Sequence, residues 1–328
     1  MSKLEIKNCP STLKEGHTSY SATALKRVFM GRKVSPYLPY NSPAKDELTD
    51  ELFEQNQQRI SISGVQEKFS VLLEKNKLRL IKDGEQGQYI LKPRPAAGKN
   101  RNEMPANEHL TMQIARQVFN IQTAENALIF FKDGAPAYLT KRFDVKEAGS
   151  KWAQEDFASL AERTPQTHGE NYKYLGNYAQ LFEILKKYVP AYPVEAPKLF
   201  KLILFNYLFS NGDAHFKNFS LSETEMGDFI LSPAYDLLNS RIHIQDKDFA
   251  LEEGLLPPSE RKGKVHEQFY ALGAKAGIKE KQISSIMDLL TSQEEKVMKL
   301  IEHSYLSAGL KRNYEQAYRT RLNKLNRK

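Results

Sequence analysis

Cysteine is almost missing from this chain: Cys9 stands alone in 328 residues. One thiol forms no intrachain disulfide and builds no cysteine-based zinc cluster, so no zinc is expected. Long apolar runs are missing too. The greasiest stretch, residues 199–209, is broken by Lys201 and Asn206 and is too short to span a bilayer. The opening Met-Ser-Lys-Leu-Glu-Ile-Lys lacks the uninterrupted apolar core of a signal peptide. A cytoplasmic location with no membrane partner is therefore expected. Nor is the composition extreme. With 40% hydrophobic and 27% charged residues, usage is ordinary for a globular protein, which argues against disorder, collagen and coiled coil. There is no internal repeat and no low-complexity tract. One-sided charge is mild: 48 Lys and Arg against 40 Asp and Glu leave a formal +8. That excess permits an anionic partner such as nucleotide, RNA or DNA. The basic residues are dispersed, however, and concentrate only over residues 312–328, which usually means a solvated surface.

What is present suggests two lobes, given about 150 residues per domain, with ample apolar side chain for a core. Residues 1–57 read as a poorly periodic lead-in, proline-rich over 34–43 and polar, with helical character, over 46–58. Patterning sharpens from Phe69. Strands are predicted over 69–73, 78–81 and 89–92. A helix follows, with Pro105 in its first turn and Leu110, Ile114 and Val118 on one face. Two further strands, 128–131 and 137–140, flank Lys132-Asp133-Gly134, a good hairpin turn. Beyond Asp144 the chain turns mainly helical. Helices are predicted over 178–189 and, apolar on most sides, from Pro197 to 210. A short hairpin, 219–221 with 229–231, comes next, and two or three helices fill 278–325.

The segment with chemical content is Asn211-Gly212-Asp213-Ala214-His215-Phe216-Lys217-Asn218, between the buried helix and that hairpin, with Tyr235-Asp236-Leu237 just beyond. An Asp, an Asn five residues on, a hairpin and a second Asp is the layout of a kinase catalytic loop and its metal-binding Asp. Phosphoryl transfer needs a carboxylate at the attacking hydroxyl and oxygen ligands for Mg²⁺ on the phosphates. Asp213 suits the first role; Asn218 and Asp236 suit the second. Singly each has a plain alternative, since Asn-Gly-Asp is a common turn and Asp236 could cap a helix. Lys92, in Tyr-Ile-Leu-Lys, sits where a kinase lysine reaches the α- and β-phosphates. Glu108 on the following helix could orient it, with Glu103 a competitor; either glutamate could equally be ordinary dipole compensation. Upstream, Ser61-Ile62-Ser63-Gly64-Val65-Gln66-Glu67-Lys68 occupies the slot of a phosphate-covering loop. A phosphate placed on Ser61 or Ser63 would repel ATP and favour ejection of that loop. Thr140-Lys141-Arg142-Phe143-Asp144 falls where strand gives way to helix, either an adenine-contacting hinge or an ordinary linker.

Together these residues resemble the HipA family of bacterial serine/threonine kinases, especially its short HipT-like branch. The matching strings are Ser61-Ile62-Ser63-Gly64-Val65-Gln66-Glu67-Lys68, Tyr89-Ile90-Leu91-Lys92-Pro93 and Asn107-Glu108-His109. They continue with Lys141-Arg142-Phe143-Asp144, residues 212–219 and Tyr235-Asp236-Leu237, in family order over about residues 59–240. The resemblance implies an α+β, bilobal protein-kinase-like fold. Residues 1–58 would be a lead-in of the N-lobe, 59–143 a β-rich nucleotide-binding N-lobe, and 144–328 a helical catalytic C-lobe. It implies Asp213 as catalytic base and Asn218 and Asp236 as Mg²⁺ ligands. ATP would be held by Ser63, Gly64, Val65, Gln66, Glu67, Lys68 and Lys92, by Lys141, Arg142 and Phe143 at the hinge, and by Asp213, His215, Lys217, Asn218 and Asp236. Ser61 and Ser63 match loop serines that such kinases autophosphorylate.

The same resemblance implies the toxin of a toxin–antitoxin system whose target is an aminoacyl-tRNA synthetase, tryptophanyl ahead of glutamyl, so that translation and growth stop. The motifs begin near residue 61, which favours the HipT-like arrangement with a separate HipS-like antitoxin and a DNA-binding HipB-like partner. DNA would be met only through the antitoxin. Some short relatives open with a Cys-x-x-Cys pair; Cys9-Pro10-Ser11-Thr12 keeps one cysteine. A small-molecule kinase of similar fold is the competing enzyme reading. A nucleic-acid-binding regulator is the competing class, though no zinc-finger or RNA-binding signature accompanies the charge. A pseudokinase is disfavoured because Lys92, Asp213, Asn218 and Asp236 are all present.

Overall fold

A computed structural model describes residues 5–43, 67–96, 98–146, 149–244 and 247–327. The chain divides into two units, one made of Met1–Gln113, Ala124–Gly149 and Lys299–Lys311, the other of Ile114–Thr123, Ser150–Met298 and Arg312–Lys328. Among the described residues no helix is long and apolar enough to cross a membrane.

The first unit is built on an antiparallel sheet of β1 (Phe69–Glu74), β2 (Lys77–Leu80), β3 (Tyr89–Pro93), β4 (Asn126–Phe130) and β5 (Pro136–Lys141). Its strand order is β2-β1-β3-β5-β4. Side chains alternate between faces along each strand. Val71, Tyr89, Leu91 and Leu139 point into the apolar core with Ala24, Val28 and Phe29 of helix α1 (Ala22–Phe29). Lys92, paired in register with Tyr138, therefore belongs to the opposite face. Helix α2 (Met104–Gln117) begins with Pro105 in its first turn and buries Leu110, Ile114 and Ala115 completely.

The lead-in is more ordered than its sequence suggests. Ser21 caps α1 by accepting the Ala24 N–H, and Met30 ends it in the left-handed conformation at φ 55°. The same segment covers the edge of β4: Leu128 donates to the Pro10 carbonyl at 2.7 Å, Leu38 donates to Phe130 at 2.7 Å, and Phe130 donates to Pro36 at 2.8 Å. An edge strand left bare would invite pairing with another chain. The predicted helical stretch at 46–58 lies outside the described residues.

The second unit carries a small sheet, order β6-β7-β8, of Gln154–Asp156, Ser220–Glu223 and Phe229–Leu231. Two single helical turns, Phe157–Leu160 and Pro165–His168, lead to α3 (Ala179–Tyr188) and α4 (Tyr192–Leu208). Helix α4 starts five residues before the predicted Pro197. Pro193 occupies its first turn, where no N–H is needed, and Pro197 is carried inside. α5 (Val265–Lys275) had no predicted counterpart. α6 (Glu280–Thr291), α7 (Glu294–His303) and α8 (Ala308–Asn326) fill the predicted C-terminal helical stretch.

Candidate active site

On the sheet of the first unit, the Lys92 ammonium donates to Glu108 Oε1 at 2.7 Å. Both side chains are buried, at 5% and 4% exposure. Two desolvated charges are tolerated only when paired this closely. The Lys92 ammonium also lies 5.4 Å from the centre of the Tyr138 ring. The competing Glu103 is engaged elsewhere, accepting the Ser307 N–H at 2.6 Å. Of the predicted hinge, Lys141 donates its N–H to Glu125 at 2.7 Å and Arg142 donates to Gln88 at 2.9 Å. The Arg142 guanidinium grips the Asp144 carboxylate, with Nε–Oδ1 at 2.9 Å. Phe143, Glu67 and Lys68 are half-buried. Ser61, Ser63, Gly64, Val65 and Gln66 lie outside the described residues.

In the second unit, α4 ends in a left-handed Ser210, φ 53°, and the chain turns into the loop 211–218. Gly212 donates its N–H to Ser240 Oγ at 2.8 Å, and that hydroxyl donates to the Ser210 carbonyl at 2.9 Å. The Asp213 side chain is half exposed and accepts the Tyr174 hydroxyl on Oδ1 at 2.6 Å. His215 is buried, its Nε2 lying 3.8 Å from the same oxygen. Burial pushes the imidazole down to about 4, with Lys173 adding to the effect and Asp213 opposing it. The neutral ring is therefore the stable form at neutral pH. The Asn218 side-chain oxygen accepts the His215 N–H at 3.2 Å, closing the 3-10 turn Phe216–Asn218. Lys217 is half-buried.

The hairpin returns the chain to this loop. The Asn211 amide reaches the Asp236 carbonyl at 3.4 Å, and the Tyr235 hydroxyl reaches the Lys217 carbonyl at 3.0 Å while also bonding Ser220. Asp236 takes φ 54°, a left-handed conformation more accessible to Asp than to most residues yet still costly. The structure thus brings the segments of Asp213, His215, Asn218 and Asp236 together.

Among the described residues no three His, Cys, Asp or Glu side chains form a metal cluster. Mg²⁺ does not need one, since it keeps several waters and is held by one or two carboxylates plus substrate phosphates. One carboxylate and one amide oxygen, Asp236 and Asn218, fit that requirement.

Two contributors escaped sequence reasoning. Tyr174 carried no signal beyond its place in an aromatic and basic run. Arg321, inside the basic tail, is fully buried, with Nε 3.3 Å from Ser210 Oγ and an ion pair to Asp248.

The HipA-like C-terminal domain family matches residues 60–298. A Haemophilus influenzae protein named "Putative kinase" is 26% identical over 237 residues, covering 70% of this chain and 66% of its own. "Putative kinase Y4dM" of Sinorhizobium fredii is 30% identical over 225 residues, covering 64% and 52%. The chain thus spans just under two thirds, or about half, of the lengths of these relatives. Among solved structures, the Shewanella oneidensis toxin–antitoxin complex of HipA, HipB and operator DNA aligns with TM-score 0.60 at 19% identity. That alignment covers 82% of this chain and 65% of that one. The Helicobacter pylori proinflammatory kinase CtkA aligns with TM-score 0.50 at 13% identity, covering 76% and 91%. The fold is the α+β kinase-like fold of these two proteins, a β-rich sheet followed by a helical region. With 60–298 matched in a chain of 328 residues, the protein belongs to the HipA-like C-terminal domain family.

Proposed function

We propose that this chain is an ATP- and Mg²⁺-dependent serine/threonine protein kinase of the HipT-like branch, acting as the toxin of a HipBST-like system. The observation that carries the reading is the join of two segments distant in sequence. Asn211 on the Asp236 carbonyl and Tyr235 on the Lys217 carbonyl join the segment of Asp236 to the loop that carries Asp213 and Asn218. Membership of the family and the named kinases among its relatives support the same chemistry.

In this reading Lys92, held by Glu108, serves the nucleotide phosphates from the sheet of residues 59–143, the nucleotide-binding lobe. Residues 141–143 flank the adenine, and 63–68 cover the phosphates. Asn218 and Asp236 would hold Mg²⁺, which when bound offsets the concentrated phosphate charge. Asp213 orients the substrate hydroxyl and takes its proton as that oxygen bonds the γ-phosphorus and the bond to the β-phosphate oxygen breaks. Autophosphorylation on Ser61 or Ser63 would silence the enzyme by repelling ATP. The proposed target is an aminoacyl-tRNA synthetase, tryptophanyl ahead of glutamyl. HipS-like and HipB-like antitoxins are the proposed partners, with DNA reached through the latter.

The rival regulator reading loses its main support, because the basic tail is partly neutralised. Arg319 pairs with Glu294 and Glu315, and Arg321 and Lys324 pair with Asp248. The deciding experiment is transfer from γ-labelled ATP. Asp213→Asn should abolish it with the melting temperature unchanged, and Ser61→Ala with Ser63→Ala should remove label from the chain itself. Undiminished transfer by the Asp213 variant would refute the assignment. Phosphoproteomics after induction, native chain against that variant, would name the target.

A further inference from the structure

Three hydrogen bonds tie residues 173–178 to the loop that carries Asp213. Phe216 donates its N–H to the Lys173 carbonyl at 3.1 Å. The Tyr178 hydroxyl donates to the Ala214 carbonyl at 2.8 Å. The Tyr174 hydroxyl donates to Asp213 Oδ1 at 2.6 Å. The first two fix backbone on either side of His215; the third fixes the carboxylate itself.

That third bond matters because packing covers only half of the carboxylate. The Asp213 side chain is 50% exposed, and among the described residues no side chain hydrogen-bonds its Oδ2. His215 Nε2, at 3.8 Å from Oδ1, is beyond hydrogen-bond reach. The Tyr174 ring, by contrast, is well held. It packs edge-on against His215 with centroids 5.0 Å apart, and the Lys173 ammonium lies 5.0 Å from its centre. Its backbone carbonyl accepts the Glu252 N–H at 3.0 Å. A packed phenol donating to one oxygen of a half-exposed carboxylate selects which way the other oxygen faces. An ionised carboxylate only accepts hydrogen bonds, so the occupied Oδ1 is less available to an incoming hydroxyl than Oδ2.

Resting on the kinase reading above, we propose that Tyr174 is a positioning residue for phosphoryl transfer: its hydroxyl anchors Asp213 Oδ1 so that Oδ2 meets the attacking hydroxyl. Misplacing a reacting group by a fraction of its reach is costly in rate, whereas nucleotide binding does not need the carboxylate aimed. The substitution Tyr174→Phe keeps the ring on His215 and removes only the anchor.

The test measures label transfer from γ-labelled ATP to the chain at a series of ATP concentrations, alongside melting temperature. Tyr174→Phe should lower the rate at saturating ATP by about tenfold, leaving the half-saturating ATP concentration and the melting temperature as in the native chain. Tyr178→Phe, which loses a bond to backbone only, should instead lower the melting temperature more than the rate. An unchanged or raised rate in Tyr174→Phe would overturn the proposal. So would a loss of rate that tracks a loss of melting temperature, since that marks a purely structural tie. Asp213→Asn in parallel separates the two levels: activity surviving there sinks the kinase reading, whereas activity lost there but kept in Tyr174→Phe sinks the positioning role alone.

Discussion

At the scale of single residues, the firmest consequence comes from the buried pair of Lys92 and Glu108, 2.7 Å apart. Replacing one partner leaves the other charged and desolvated, so Glu108→Ala should cost about 3–5 kcal/mol in denaturant unfolding. The double change Lys92→Met with Glu108→Leu should recover most of that stability and, on the proposed function, should not support transfer from ATP. A double variant as unstable as the single one would show that the pair is more than mutual compensation. His109 gives a pH-dependent counterpart. Burial lowers its imidazole to about 4, opposed by its hydrogen bond to the Ser11 carbonyl at 2.9 Å. The unfolded chain then binds a proton that the folded chain refuses. The stability is fully present above pH 6.5 and is lost as pH falls from there toward 4. Going from pH 7.5 to 5 should cost about 2 kcal/mol through this group, and His109→Gln should shrink that loss in paired urea titrations. An unchanged loss would place the acid sensitivity elsewhere. The candidate site was proposed at this scale because Asp213, Asn218 and Asp236 fall in one short ordered stretch, and Lys92 in a strand. Tyr174 and Arg321 were not, because a hydroxyl reaching across 39 residues and a guanidinium reaching across 111 leave no local pattern.

At the scale of elements, reading succeeded where hydrophobic period and turn chemistry agreed. The strands of the large sheet and α2 lie within two residues of their expected bounds, Pro105 and Lys132-Asp133-Gly134 marking start and turn. It failed where an element is short or its punctuation ambiguous. α1 has only eight residues, too few to establish a period. Helix α4 itself carries two prolines, Pro193 and Pro197; the sequence pattern places its start at Pro197, whereas the helix tolerates that residue within its second turn. α1 nevertheless does structural work out of proportion to its length. Phe29 is fully buried, with its ring 4.8 Å from Tyr20 and 6.2 Å from Tyr89. Phe29→Ala should therefore cost about 3–5 kcal/mol, read by chemical denaturation. A cost below about 1 kcal/mol would mean that the lead-in only decorates the sheet.

At the scale of the whole molecule, the family match ends at residue 298, but the tertiary structure does not. Residues 299–311 belong to the first unit and 312–328 to the second. In the first, the Tyr305 hydroxyl bonds the Asn8 carbonyl, the Asn8 amide donates to the His303 carbonyl at 2.8 Å, and the Tyr305 ring lies 5.8 Å from Phe130. In the second, Tyr318 stacks on Phe209 at 5.0 Å, and Arg321 supports the left-handed Ser210 just ahead of the loop 211–218. The same terminal stretch thus packs into two separate cores, through half-buried polar groups in the first and the buried Arg321 in the second, whose loss would leave partners unsatisfied. A chain ending at residue 298 should consequently lose more than either unit alone would predict. We expect a lower melting temperature, earlier amide exchange in both the Phe69–Glu74 strand and the Tyr192–Leu208 helix, and no transfer from ATP. Point changes separate the contributions: Tyr305→Ala should loosen exchange in the first unit and Arg321→Met in the second. Native-like melting by the truncated chain would show that residues 1–298 hold both cores without the tail, and that the contacts of Tyr305 and Arg321 follow folding rather than support it.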